Sequence, residues 1–314
     1  MHKNNKISIL IPVFNEQNSL DQLYNEIYKS VEKKYLYEII FINDGSTDQS
    51  KHKIQDIISN NSNVKLIDFY KNRGKSIALN EGFKLISGDI VITLDADLQD
   101  DPKEIDRFID KINDGYGMIS GWKKNRLDPL SKTIPSRVFN SILRIISKIN
   151  IHDFNCGYKA YTSDAVKNLE LYGGLHRFLP IIVNNNGFTV SEIIVNHRKR
   201  EFGQSKYSSS RIFHGFFDFI TLLFFNKYLT RPLHLFGGIG FTLILMGLSI
   251  NLYLTVNWLG GIWITPYKNP LFFLGILLLI IGIQFFSIGL IGELIVKLLR
   301  NNNKTHCKYY NFNE

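Results

Sequence analysis

Short runs of β-branched and aromatic residues alternate with amphipathic stretches through the first hundred residues of this chain. ISILIPVF (7–14), EIIFIND (38–44), VKLIDF (64–69) and DIVITLDAD (89–97) read as strands, and helices are predicted over Ser19–Lys33, from about Thr47, and near Lys75–Ile86. Continuous apolar runs of strand length need cover on both faces, so the pattern predicts an α/β fold with a mostly parallel, Rossmann-like sheet. In such sheets a ligand binds beyond the carboxyl ends of the strands. Asn15-Glu16, Asn43-Asp44 and Asp95-Ala96-Asp97 all fall there, which predicts one shared ligand site.

The pattern changes towards the C-terminus. Between Arg231 and Lys268, and again between Lys268 and Glu293, no Asp, Glu, Lys or Arg occurs. Each stretch exceeds the ~20 residues that cross a bilayer core, so two transmembrane helices are expected at about 233–257 and 271–296. Lys227 and Arg231 precede the first, Lys297, Arg300, Lys304 and Lys308 follow the second, and the loop between them carries only Lys268. By the positive-inside rule both termini face the cytoplasm. The expected organisation is a cytoplasmic domain over 1–206, a juxtamembrane amphipathic helix over 207–230, a two-helix membrane region over 231–300 and a cytoplasmic tail over 301–314. A second basic amphipathic segment, 135–149, sets Val138, Phe139, Ile142, Leu143, Ile146 and Ile149 against Arg137, Arg144 and Lys148; such helices lie in the headgroup layer or pack on their own domain. The apolar run after MHKNNK is too short for a signal peptide and is taken as a strand.

Composition adds little until it is set beside the spans. A net charge of +9 suits nucleic acid, a membrane surface or an anionic substrate; the spans favour the last two, and no nucleic-acid partner is expected. Cys156 and Cys307 give neither a disulfide framework nor zinc spacing, and His152, His176 and His197 have no ligand spacing.

Asp95-Ala96-Asp97, within TLDADLQDDP, carries the sharpest chemistry. Two carboxylates at a strand end suit a hard cation, Mg²⁺ or Mn²⁺, which also takes phosphate oxygens. A departing diphosphate needs that neutralisation because negative charge grows on it. The alternative is a capped turn, with Asp100, Asp101 and Pro102 opening the next helix. Asn43–Asp48 is likewise either a turn with Gly45 at positive φ or a place where Asp44 accepts from a base or ribose. Arg73 and Lys75, flanking Gly74, either face solvent or support a phosphate.

IPVFNE, NDGSTD, NRGKSIALNEG and DADLQDDP together resemble the family 2 glycosyltransferases of GT-A fold. The chain is more narrowly similar to bacterial polyprenyl-phosphate glycosyltransferases related to dolichol-phosphate mannose synthase, and GWKKNRLDP, IPSRVFN, HDFNCGYKAY, HRFLP, NHRKREFGQSKY, RPLHLFGG and SIGLIGELIVK extend that likeness to nearly the whole chain. The resemblance implies that Pro12, Phe14, Glu16, Asp44 and Lys75, with Asp95, Ala96, Asp97 and Gln99, form the nucleotide-sugar site. Asp95, Asp97 and Gln99 would surround the metal, the last two as direct ligands. Asp153 would be the catalytic carboxylate beside Asp97, and Arg126, Arg137, Arg200 and Lys206 would meet phosphates of donor or lipid, with Lys123 and Lys124 as further cations. Lys123-Lys124 stand where close relatives often show Arg.

A phosphate monoester is already close to doubly negative, so such an acceptor attacks without a strong base. Asp153 then orients the sugar or stabilises its cationic character; the bland alternative is a buried aspartate holding a loop. The expected reaction is inverting transfer from a UDP-sugar, UDP-glucose in the first instance, to undecaprenyl-type phosphate. GDP-mannose and a UDP-4-amino-arabinose-type donor are variants. The other classes are a processive polysaccharide synthase, which needs more helices and a QxxRW-type motif not found here, and a non-catalytic membrane scaffold. Glycines in the spans (Gly237, Gly238, Gly240, Gly289, Gly292) suggest self-association, and the family suggests a tetramer.

Overall fold

The computed structural model describes residues 5–124, 130–199, 232–261 and 268–302. Arg126, Arg200, Lys206, the 207–230 segment and residues 303–314 lie outside them. The chain falls into two compact units divided after residue 218.

The first unit holds seven strands: β1 (Lys6–Val13), β2 (Leu36–Asn43), β3 (Val64–Asp68), β4 (Ile90–Thr93), β5 (Met118–Trp122), β6 (Lys159–Thr162) and β7 (Val190–Ile194). Their order is β3-β2-β1-β4-β6-β5-β7. All pairings are parallel except those of β6, which runs antiparallel between β4 and β5. β1 shows why helices must lie on both faces, for Ile7, Ile9, Leu10 and Ile11 are all wholly buried. Ile7, Ile9, Ile11 and Val13 join a core with Leu20, Leu23, Ile27 and Val31 of α1 (Leu20–Val31), Ile54 of α2 (Ser50–Ser59) and Phe108 of α4 (Ile105–Asn113). On the opposite face Gly82 of α3 (Lys75–Leu85) lies close to Leu10 and Ile42.

The fourth strand is shorter than its apolar run predicts. Pairing of β4 with β1 ends at Leu10 opposite Thr93, Asp95 N turns towards Asp100 Oδ2 at 3.4 Å, and Leu98 takes a left-handed φ of 63°. Asp95–Gln99 is therefore a loop beyond the strand end rather than strand.

Helix α5 (Leu130–Ser147) divides the apolar positions expected on one face. Leu143 and the following Ile149 are buried, and Phe139 packs on Phe178 at 5.9 Å between centroids. Val138, Ile142, Ile145 and Ile146 are exposed instead.

The second unit contains two long helices, Pro232–Leu259 and Pro270–Asn302, long and apolar enough over Pro232–Leu259 and Pro270–Val296 to cross a membrane. Only 17% and 11% of these stretches is buried, which a soluble core helix would not tolerate. They pair as a hairpin through small residues: a Cβ on Gly240 would lie 2.6 Å from Gly282 O, and one on Gly247 2.6 Å from Gly275 O. Gly237 and Gly289 also meet across this pair, and Gly292 meets Pro232. The glycines expected to support self-association are thus largely used within the chain, Gly238 alone of the five having nothing within 4 Å. Glu293 Oε2 lies 3.5 Å from Leu233 N, at the start of the first long helix.

Candidate active site

The carboxyl ends of β1, β2 and β4 are laced together by side chain to backbone hydrogen bonds. After β1, Asn15 turns at positive φ; its N–H donates to Ser46 Oγ (3.0 Å) and its Oδ1 accepts from Thr47 N (2.8 Å). Glu16 N donates to Ser50 Oγ and Gln17 N to Asp48 Oδ2. Ser19 Oγ reaches Ala96 O at 2.6 Å, which ties the same loop to the acidic triplet. Pro12, Phe14 and Glu16 remain partly exposed around this junction.

Asp44 is buried at the end of β2 and grips the turn before α3: Oδ1 accepts from Arg73 N (2.6 Å) and Oδ2 from Gly74 N (2.9 Å). Burial raises its pKa against those two hydrogen bonds. Gly45 sits at φ 67°, and a Cβ there would fall 2.4 Å from Lys71 C, so this contact between loops requires glycine. The fixed turn delivers Lys75, whose ammonium pairs with Asp95. Burial alone would raise the Asp95 pKa, but Lys75, Lys123 and Lys159 hold it below the usual carboxylate range.

Beyond β4, Asp95, Asp97 and Gln99 are partly exposed whereas Leu94, Ala96, Leu98 and Asp100 are buried. The three polar side chains therefore share the accessible side of the loop. Asp97 Oδ1 accepts from Gln99 N at 3.3 Å, and Gln99 Nε2 lies 3.4 Å from Arg198 O, so the amide's acceptor atom is Oε1. These are hard oxygen donors of the kind Mg²⁺ or Mn²⁺ takes. Among the described residues no three acidic, histidine or cysteine side chains converge as a preformed cage, so the set fits an ion that arrives with most of its ligands from water and a diphosphate. Arg198 closes this edge, with its N on Gln99 O and its guanidinium bridging Glu26 and Asp101, each at 2.5 Å.

Lys123, expected to face a phosphate, turns inward. Its Nζ lies 2.8 Å from buried Asp100 Oδ1, and that carboxylate keeps it protonated despite burial. Next to it a pocket of about 380 Å³ is lined by Trp122, Lys124, Arg137, Asn140, Arg144 and Asp153, among others. Asp153 is buried; its carbonyl accepts from Ser120 Oγ (3.1 Å) and its Oδ1 from Asn155 N (3.3 Å). His152 stacks on Trp122 at 4.1 Å and is held by Glu192 through both ring and backbone nitrogen. Apart from His152, and with Lys123 offset by Asp100, the lining sets Lys124, Arg137 and Arg144 against Asp153.

The structure thus brings Asp44, Lys75, Asp95, Ala96, Asp97 and Gln99 to one sheet end, with Arg137 and Asp153 in the pocket; Arg126, Arg200 and Lys206 lie outside the described residues. Sequence reasoning missed the Lys123–Asp100 pair, Arg198 and Lys159, because their partners are distant in sequence or are backbone atoms. His176, left open in sequence, is half-buried with Nδ1 2.8 Å from Ser76 Oγ, and desolvation first, then Lys75, holds its pKa well below normal.

Residues 8–170 match the family model described as glycosyl transferase family 2. The dodecaprenyl-phosphate galacturonate synthase of Rhizobium johnstonii is 31% identical over 304 residues, covering 93% of this chain and 88% of that protein. The undecaprenyl-phosphate 4-deoxy-4-formamido-L-arabinose transferase of Pseudomonas fluorescens is 34% identical over 296 residues, covering 93% and 85%. The glucosyl-3-phosphoglycerate synthase of Mycobacterium tuberculosis shares the fold, with a TM-score of 0.53 at 17% identity over 71% of this chain and 80% of that one. A complex of that enzyme with Mn²⁺, UDP and phosphoglyceric acid gives a TM-score of 0.50 at 18% identity, over 63% and 72%. A mostly parallel sheet with acidic loops at its carboxyl edge, apolar helices at the C-terminus and these relatives lead to one conclusion: the chain is a glycosyltransferase of family 2, with a GT-A fold.

Proposed function

We propose that this enzyme transfers a sugar from a UDP-sugar to a polyprenyl phosphate of undecaprenyl type, with inversion, at the cytoplasmic face of the membrane. The observation that carries the reading is the charge of the pocket beside Asp153. Among the described lining residues, Lys124, Arg137 and Arg144 exceed it by about the charge of a phosphate monoester. The names of the relatives, which act on dodecaprenyl and undecaprenyl phosphate, support the same acceptor.

On this reading Pro12, Phe14, Glu16 and Asp44 hold the nucleotide, and Asp97 and Gln99 would hold Mg²⁺ or Mn²⁺. A bound ion supplies neutralisation of the charge that grows on the departing UDP. Lys75 fixes Asp95 beside that charge. Arg137 and Arg144 hold the acceptor phosphate, whose oxygen attacks the anomeric carbon while the bond to UDP breaks. Asp153 orients the sugar and stabilises its developing positive character; no proton has to be removed from the nucleophile. The exposed Val138, Ile142, Ile145 and Ile146 beside Arg137 and Arg144 suit a helix seated in the headgroup layer, which puts the pocket at the level of a lipid phosphate.

The test is a donor panel on the purified full chain in lipid, with undecaprenyl phosphate and radiolabelled UDP-glucose, UDP-galacturonate, UDP-4-deoxy-4-formamido-L-arabinose and GDP-mannose. Organic-extractable, mild-acid-labile label from a UDP-sugar supports the reading, and the strongest donor names the sugar. Polymeric label would make the chain a synthase, and no label from any donor would overturn transfer to lipid.

A further inference from the structure

The loop between Asp153 and β6 touches both halves of the site. Its first residue lines the cationic pocket. Four residues on, Gly157 lies directly under the donor carboxylate: a Cβ there would sit 2.3 Å from Asp95 Oδ2 and 2.6 Å from its Cγ. The loop is fixed along its length. Ser120 Oγ donates to Asp153 O (3.1 Å), and Thr93 Oγ1 donates to Gly157 O (2.8 Å), joining it to the middle of β5 and the end of β4. From beneath, Lys159 donates its ammonium to Cys156 O. Lys159 is only 3% exposed, and a buried amine is costly unless it does something with its charge. Burial first lowers its pKa, to about 8. Its hydrogen bond is spent on the peptide that presents Gly157.

From this arrangement we infer that Asp153–Lys159 is a rigid coupler setting the position of the Asp95 side of the donor site relative to Asp153, with Gly157 and Lys159 as its positioning residues. Gly157 leaves the space in which Asp95 meets Lys75. Lys159 holds the turn at the height that keeps that space in register with the pocket. Neither residue touches the reacting atoms. Residues that orient ligating side chains change affinity by about 10–100-fold, and an ångström of misplacement costs a rate about 100-fold.

The inference rests on the proposed donor site, and the experiment separates the two. Titrate Mn²⁺ with UDP into the full chain in nanodiscs by calorimetry, then measure kcat and KM with the best donor of the panel. In Gly157→Ala the added methyl has to displace the Asp95 carboxylate from the place where Lys75 holds it, and the melting temperature is read beside the titration so that a loss of fold is told from a loss of the site. Binding of Mn²⁺ with UDP should weaken at least tenfold. Lys159→Met should bind Mn²⁺ with UDP within about threefold of wild type but lose about 100-fold in kcat, whereas Lys159→Arg, which keeps a cationic donor, should recover part of that loss. Absence of Mn²⁺–UDP binding by the wild-type chain overturns the proposed function itself. Wild-type binding with Gly157→Ala unchanged overturns the coupler alone, as does a Lys159→Met that keeps full kcat. Should Lys159→Met not fold, Gly157→Ala decides the question.

Discussion

Asp97 and Asp95 are neighbours in sequence with different surroundings. Asp95 is paired with Lys75, so on the proposed reading Asp97, with Gln99 beside it, would hold the ion. Asp97→Asn should lower kcat by about 100-fold or more, on the scale of losing one charge-stabilising group, and abolish Mn²⁺-dependent UDP binding while leaving the melting temperature intact. Full activity would remove Asp97 from the site. Glu38 shows the opposite use of a carboxylate. It is 2% exposed and accepts from Ser8 Oγ, Ser87 N and Ser87 Oγ, with Lys65 Nζ at 2.7 Å. Burial would raise its pKa, but Lys65 and the serines bring it down to about 2 from 4.5. The unfolded chain binds the proton more readily, so this contribution is present above about pH 4.5 and disappears as the pH falls towards 2. Glu38→Gln should cost about 2 kcal/mol at neutral pH, a fall of roughly 4–8 °C in melting temperature, and flatten the acid limb of stability against pH. The acidic triplet was legible in sequence because strand ends announce themselves. Lys123 was not: nothing local says that its ammonium turns to Asp100, which lies one helix and one strand earlier in the sequence.

Elements were most legible where both faces of a strand are apolar. β1, β2 and β3 lie within two residues of the expected bounds. β4 was overextended because its apolar and acidic run continues after its pairing with β1 has ended at Thr93. β5, β6 and β7 had no comparable signature; they mix Gly, Ser, Lys and Glu, and β6 is antiparallel. In α5 periodicity marked an amphipathic helix but could not tell that Leu143 packs inward while Ile142 and Ile145 stay exposed. Ile142→Glu with Ile145→Glu leaves the core untouched. In the first unit expressed alone, over 1–218, it should reduce sedimentation with anionic vesicles at least tenfold, since burying each isoleucine is worth about 1.5–3 kcal/mol, and leave Mn²⁺–UDP binding unchanged. Equal sedimentation would take α5 out of the headgroup layer.

At the scale of the molecule, the absence of charge over two long stretches was enough to expect the C-terminal helices, and their exposed apolar surfaces agree. The use of Gly240, Gly247, Gly275 and Gly282 within the hairpin was not legible, because a small-residue stripe does not name its partner. We propose that these helices hold the catalytic domain at the surface where its acceptor resides. Truncation after Thr230 should then preserve Mn²⁺–UDP binding but lower transfer to undecaprenyl phosphate in vesicles by about 100-fold, the gain that tethering gives. Undiminished transfer would make the spans dispensable for acceptor access.

The most direct measurement is anomalous scattering from Mn²⁺ in crystals of the full chain grown with UDP. The account predicts one peak within coordination distance of Asp97 and Gln99, touching the UDP diphosphate, with Asp95 still paired to Lys75. Density for UDP with no such peak, or a peak away from that sheet edge, would contradict it.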